Sequence, residues 1–131
     1  MASEMVGSAV ATSSGASRKP AARPVDLVHL SRYTLGDRAL EREVLELFRA
    51  QASIYLERLD AAQSAQEWRD AAHSLKGSAA AIGAWRAAAA AERAEAVAGE
   101  ALTQERADRL REVAAALDEA GDYIGALLAD R

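Results

Sequence analysis

The sequence predicts an all-α protein: an antiparallel up-down-up-down four-helix bundle with a short N-terminal lead helix. Half of the 131 residues are hydrophobic, yet only six are aromatic, and alanine, the strongest helix former, supplies much of the apolar share. Apolar residues recur at intervals of three and four rather than in alternation, and no stretch reads as a strand. The connections between the periodic stretches are short, which favours antiparallel neighbours.

Each element has its own signal. Residues 1–24 are rich in Ser, Ala and Gly, carry Arg18-Lys19-Pro20 and Arg23-Pro24, and show no sustained hydrophobic period, so a flexible tail is expected. Residues 25–131 form the bundle domain. Val25, Leu27, Val28 and Leu30 read as a short lead helix ending near Thr34-Leu35-Gly36-Asp37. Asp37 is placed to cap a long helix on which Leu40, Val44, Leu47, Phe48, Tyr55 and Leu59 recur at helical spacing. Ser64-Ala65-Gln66-Glu67 reads as a capping box that opens the next helix, and Gly83 closes it. The alanine-rich run from Trp85 to Ala98 gives a third long helix, stopped by Gly99. Thr103 caps a fourth, whose seam is Leu110, Val113, Leu117, Ala120, Ile124 and Leu127.

Composition excludes several classes of function. With no cysteine, there are no disulfides, thiolate metal sites or cysteine nucleophiles. The net charge of −4 gives no electrostatic case for nucleic acid or an anionic membrane, and setting the tail aside leaves 19 acids against 13 bases. No run of about 18 uncharged apolar residues exists to span a membrane. The first residues also lack the basic and apolar regions of a secretory signal, so a cytoplasmic location is expected.

The helix opened by Ser64 carries the chemistry. Trp68, Ala72, Leu75, Ala79 and Ile82 define its buried stripe, which places His73, Gly77, Ala80 and Ala84 on the far side and Lys76 on the flank. Glycine in mid-helix costs about 1 kcal/mol relative to alanine. The compensating benefit on offer at Gly77 is access, a smooth surface beside an exposed imidazole. Lys76 is the only lysine among the 13 basic residues of the folded part. An ammonium three residues after a histidine is suited to neutralising a phosphoryl group carried by that imidazole, so the pair suggests a phosphohistidine site.

His73-Ser74-Leu75-Lys76-Gly77, continued by Ser78, Ala79, Ala80 and Gly83, resembles the histidine phosphotransfer (HPt) domains of bacterial multistep phosphorelays. Gly36-Asp37 and Leu45, Phe48 and Leu59 on the long helix extend the resemblance from about Val25 to the C-terminus. It implies a phosphocarrier rather than an enzyme, with His73 as phosphoacceptor, Lys76 stabilising the phosphate and Gly77 admitting the receiver; helical phase adds Ala80 and Ala84 to the docking face. The implied partners are receiver domains of response regulators and hybrid histidine kinases, with Mg²⁺ on the receiver and neither a cofactor nor a metal on this chain; a monomer is expected. Family members often carry glutamine 22 residues after the histidine, hydrogen-bonded to the imidazole, where this sequence has Glu95. A glutamate there can accept the Nδ1 proton, but it adds a negative charge beside the phosphoryl group.

Other readings are weaker. The phosphoacceptor part of a histidine kinase would need a nucleotide pocket to phosphorylate itself, and Ser74 follows His73 where a carboxylate base is wanted. A metal-binding bundle has too few histidines. A non-catalytic interaction module would not require His73, Lys76 and Gly77 together. His29, in the lead helix, is read as structural. Trp68 and Trp85 are read as packing anchors, and the Arg42/Glu46 and Arg38/Glu41 pairs as a solvated face.

Overall fold

The computed structural model describes residues 23–97 and 103–130, and within them the chain is helical throughout, with no strand. The helices are α1 (Leu27–Thr34), α2 (Arg38–Ala61), α3 (Ala65–Ala81), α4 (Trp85–Glu95) and α5 (Thr103–Ala129). The tail over residues 1–22, the stop at Gly99 and the side chain of Thr103 lie outside the described residues.

The boundaries follow from local chemistry. Asp37 Oδ1 accepts from the backbone N–H of Leu40 at 3.0 Å and starts α2. Ser64 Oγ accepts from Glu67 N–H at 3.1 Å, while Glu67 Oε1 reaches back to the N–H of Gln63 at 2.8 Å, one residue earlier than the capping box requires. Gly83 ends α3 at φ +79°. Its N–H bonds to the Ala80 carbonyl at 3.1 Å and the Ala84 N–H to the Ala79 carbonyl at 2.9 Å, the paired bonds of a Schellman stop. The alanine-rich helix is shorter than expected, ending at Glu95 rather than Ala98, where the Ala96 N–H caps back onto Glu92.

α2 packs on α3 and α5, and α4 on the same two helices, so four helices enclose one core; α1 lies against α2. Leu45, Leu59, Leu75, Val113 and Ile124 are fully buried at its centre. Between α3 and α4 the buried residues are mostly alanines: Ala71, Ala72 and Ala79 from one helix, Ala87, Ala90, Ala91 and Ala94 from the other. Small side chains let two helix axes approach closely. Trp68 closes this layer, its indole N–H donating to the Ala94 carbonyl at 2.7 Å, so α4 runs back along α3.

At five positions in α2, α4 and α5 the observed burial differs from the expectation. Leu40 and Leu47 are exposed rather than core, because α2 buries the stripe of Glu41, Leu45, Phe48, Tyr55 and Leu59, and Leu47 lies about 100° from Phe48. Glu41 is buried, not solvated: its Oε2 accepts from Thr34 Oγ1 at 3.3 Å, across the turn between α1 and α2. Trp85 is 44% exposed and meets the His29 ring edge-on at 4.8 Å. At the end of α5 the buried residue is Leu128, with Leu127 only partly covered.

Candidate functional site

The buried stripe of α3 is the expected one, and its phase sets everything on the opposite side. Trp68, Ala72, Leu75, Ala79 and Ile82 are all buried, which turns His73 outward with 69% of its side chain exposed. Gly77 is exposed one turn further on, and a Cβ built there would meet nothing within 4 Å. Ala80, next along the same side, is partly covered. Ala84 does not belong to this surface. A projection at 100° per residue holds only while the helix lasts, and α3 has ended at Ala81, so Ala84 falls beyond the left-handed Gly83 and is fully buried as the first cap of α4.

The carboxylate of Glu95 faces His73 from α4. Its Oε2 lies 2.8 Å from His73 Nδ1 and its Oε1 lies 3.0 Å from Lys76 Nζ, so one carboxylate holds both residues singled out on α3. The close approach of α3 and α4 across their alanine layer brings a side chain of this length within reach. Glu95 sits in the last turn of α4, where the helix dipole disfavours a negative charge; the imidazole and the ammonium offset that cost. The Lys76 ammonium, above all, and the hydrogen bond from His73 hold the Glu95 carboxyl below the usual carboxylate range, against a partial desolvation that pushes the other way.

This geometry fixes the roles of the two ring nitrogens. An ionised carboxylate has no hydrogen to give, so Nδ1 is the donor, and in the neutral ring Nε2 keeps a lone pair. No hydrogen bond among the described residues engages Nε2. The arrangement therefore presents an oriented nucleophile to solvent beside a cation. His29 has no such surroundings: it is half-buried, and what meets its ring is the indole of Trp85.

One part of this surface was not predicted. A groove of about 160 Å³ between α2 and α3 is lined by Tyr33, Leu47, Ser78 and Ile82 among others, with Tyr33 and Leu47 both more than half exposed. The signal in the sequence was the adjacent pair Leu47-Phe48, since two neighbouring residues on a helix cannot both point into one core. Beside the groove, the Tyr55 hydroxyl and Ser78 Oγ are 2.9 Å apart and tie α2 to α3. Among the described residues no group of three or more His, Asp or Glu side chains is placed to hold a metal ion.

The chain belongs to the Hpt domain family, matched over residues 43–123. Among solved structures it is similar to the histidine phosphotransferase ShpA from Caulobacter crescentus, with 34% sequence identity and a TM-score of 0.63 over 82% of this chain and 92% of that one. A search of the curated proteins finds no match.

Proposed function

We propose that this chain is a phosphocarrier that relays a phosphoryl group between receiver-domain aspartates through Nε2 of His73. The observation that carries the reading is the exposed imidazole whose Nδ1 is occupied by Glu95, with Lys76 on the same carboxylate. Membership of the Hpt family supports it.

In this reading the aspartyl phosphate of a receiver meets Nε2 in line, and the P–O bond to the carboxylate breaks as the N–P bond forms. Positioning matters more than any base on this chain, because the transition state is loose and the nucleophile already has its lone pair free. Mg²⁺ belongs to the receiver's acidic pocket; this chain supplies the histidine and the Lys76 charge. Gly77 and Ala80 leave room for the partner's loops beside His73. The apolar rim of the groove, with Leu47 and Tyr33, extends the docking face towards α2. The reading takes α2 to α5 as an up-down-up-down bundle led by α1, acting as a cytoplasmic monomer. No helix among the described residues is long and apolar enough to cross a membrane.

The test is transfer from a labelled, phosphorylated receiver. Acid-labile phosphate should appear on the peptide carrying His73, and ATP with Mg²⁺ alone should label nothing. Phosphate on His29, or labelling from ATP without a partner, would sink the proposal.

A further inference from the structure

We infer that Glu95 is a positioning residue that keeps the Nδ1 proton on the phosphorylated His73 ring, so that the phosphoryl group always departs from an imidazolium and leaves a neutral imidazole behind. The inference rests on His73 being the phosphoacceptor.

Attack by the Nε2 lone pair forms the N–P bond while the electron pair of the broken P–O bond stays on the receiver's carboxylate. The Nδ1 proton does not move, so the ring becomes cationic. In the onward step a carboxylate oxygen of the next receiver forms the new P–O bond, the N–P pair returns to Nε2, and the ring is neutral again. If Nδ1 lost its proton between the two steps, the leaving group would be an imidazolate, a far poorer one. Whatever holds that proton sets how readily the carrier is unloaded.

The geometry gives this task to Glu95. Its Oε2 accepts the Nδ1 hydrogen at 2.8 Å, and a hydrogen bond to an ionised acceptor is roughly twice as strong as a neutral one. A glutamine could take the same position and accept the same hydrogen without the charge that attracts an imidazolium. Its amide NH₂ would then face the Lys76 ammonium, which in this chain is bound by Glu95 Oε1 at 3.0 Å. Lys76 also offsets the repulsion between the carboxylate and the incoming phosphoryl group, so the pair can keep a charged acceptor at Nδ1.

Of the other charged groups on α2, α3 and α4, Arg69, Asp70 and Arg58 have partners of their own. One turn before His73 on α3, Arg69 and Asp70 both hydrogen-bond Gln66, at 3.0 and 2.6 Å. From α2, Tyr55 is paired with Ser78, and the Arg58 guanidinium lies over its ring at 5.9 Å. On α4, Glu92 precedes Glu95 by three residues and is exposed. The Glu95 carboxyl, held below the usual carboxylate range chiefly by Lys76, is ionised at neutral pH.

The experiment compares the full chain with its Glu95→Gln variant, both loaded by phosphoramidate so that no partner is needed for loading. Thermal melting checks the fold, ³¹P and ¹⁵N NMR titration follows the phosphorylated ring, and rapid mixing with a receiver gives the transfer rate across pH. Both proteins should load on His73. The deficit of E95Q should be smallest near neutrality and below, and grow to about tenfold at alkaline pH, with the ring losing its Nδ1 proton about one pH unit earlier. Superimposable pH profiles would overturn the inference, as would faster transfer by E95Q at high pH, which would mean that the carboxylate acts by repulsion. Folded E95Q that fails to load would also overturn it, because ring orientation would then be the whole role. Absence of phosphate from His73 in the unmodified chain is a different failure and removes the carrier reading itself.

Discussion

His29 and His73 both lie near a carboxylate, Asp26 for the first and Glu95 for the second, and the two arrangements differ in what they leave unused. Around Asp26 every polar group has a partner. Its Oδ1 accepts from the His29 backbone N–H at 3.1 Å and its Oδ2 from the Trp85 indole at 3.0 Å, while its N–H donates to Gly83 and its carbonyl accepts from Leu30. The segment before α1 is thereby strapped to the turn between α3 and α4. Around Glu95 both carboxylate oxygens are used as well, but the group they orient keeps one nitrogen open to solvent. A closed set of bonds stabilises; the same chemistry with one valence left over can react.

Breaking the reactive arrangement should have the largest effect. His73→Gln should abolish phosphate acceptance while shifting stability by no more than about 0.5 kcal/mol, because the side chain is exposed. Label incorporation and thermal melting check both halves. Gly77→Gln should slow transfer by about a hundredfold by placing a side chain one turn from the imidazole, where small misplacements of the reacting atoms are costly. Gly77→Ala meets open space on a helix and should raise stability by up to about 1 kcal/mol in a denaturant titration. Lys76→Ala should lower the transfer rate roughly tenfold, a modest loss for removing a cation from a transferring phosphoryl group because water reaches its ammonium, with equilibrium binding of the receiver falling less.

The closed arrangement should fail in the opposite sense, through stability and not through transfer. Gly83→Ala needs a left-handed backbone at φ +79° and would bring its Cβ to 2.9 Å from both Cβ and the carbonyl oxygen of Asp26. It should cost about 2 kcal/mol or more while leaving transfer per folded molecule intact, read by denaturation and rapid mixing together. The smallest effect is that of acid on Asp26. The indole hydrogen bond of Trp85, followed by the His29 N–H, holds its carboxyl below its ordinary value of 3.8. A depressed folded value means that its contribution is complete above the ordinary value and lost as the pH falls through the lower, folded one. Stability in this window, followed by Trp85 fluorescence, should fall less steeply in Asp26→Asn than in the unmodified chain.

The parts legible in the sequence were those encoded within one or two helical turns. Asp37 and Ser64 cap as their identities dictate, Gly83 stops α3, and the spacing of Trp68, Ala72, Leu75, Ala79 and Ile82 sets the outward side of that helix. Contacts across the fold were not legible. Asp26 meets Gly83 and Trp85 at separations of 57 and 59 residues, and no local pattern marks it as more than a cap. Glu41, paired by spacing with Arg38, is instead taken up by Thr34 across a turn. Leu47 fits the helical period of α2 as well as Phe48 does, and only the packing decides which of the two is covered. Ala84 departs from the side its helical phase predicts because the turn at Gly83 resets that phase.

That resetting turn has a consequence for what this chain can tolerate. Only Ile82, Gly83 and Ala84 separate α3 from α4, and the Schellman bonds together with the Asp26 strap pin their conformation. The turn therefore works as a phase lock between two screws. Inserting or deleting one residue in it would rotate α4 by about 100° and slide it by about 1.5 Å relative to His73, carrying the Glu95 carboxylate off the imidazole while leaving both helices intact. The length of this three-residue link is therefore as much a part of the arrangement as the side chains on either helix, because two helices must keep time with each other for one nitrogen to point the right way.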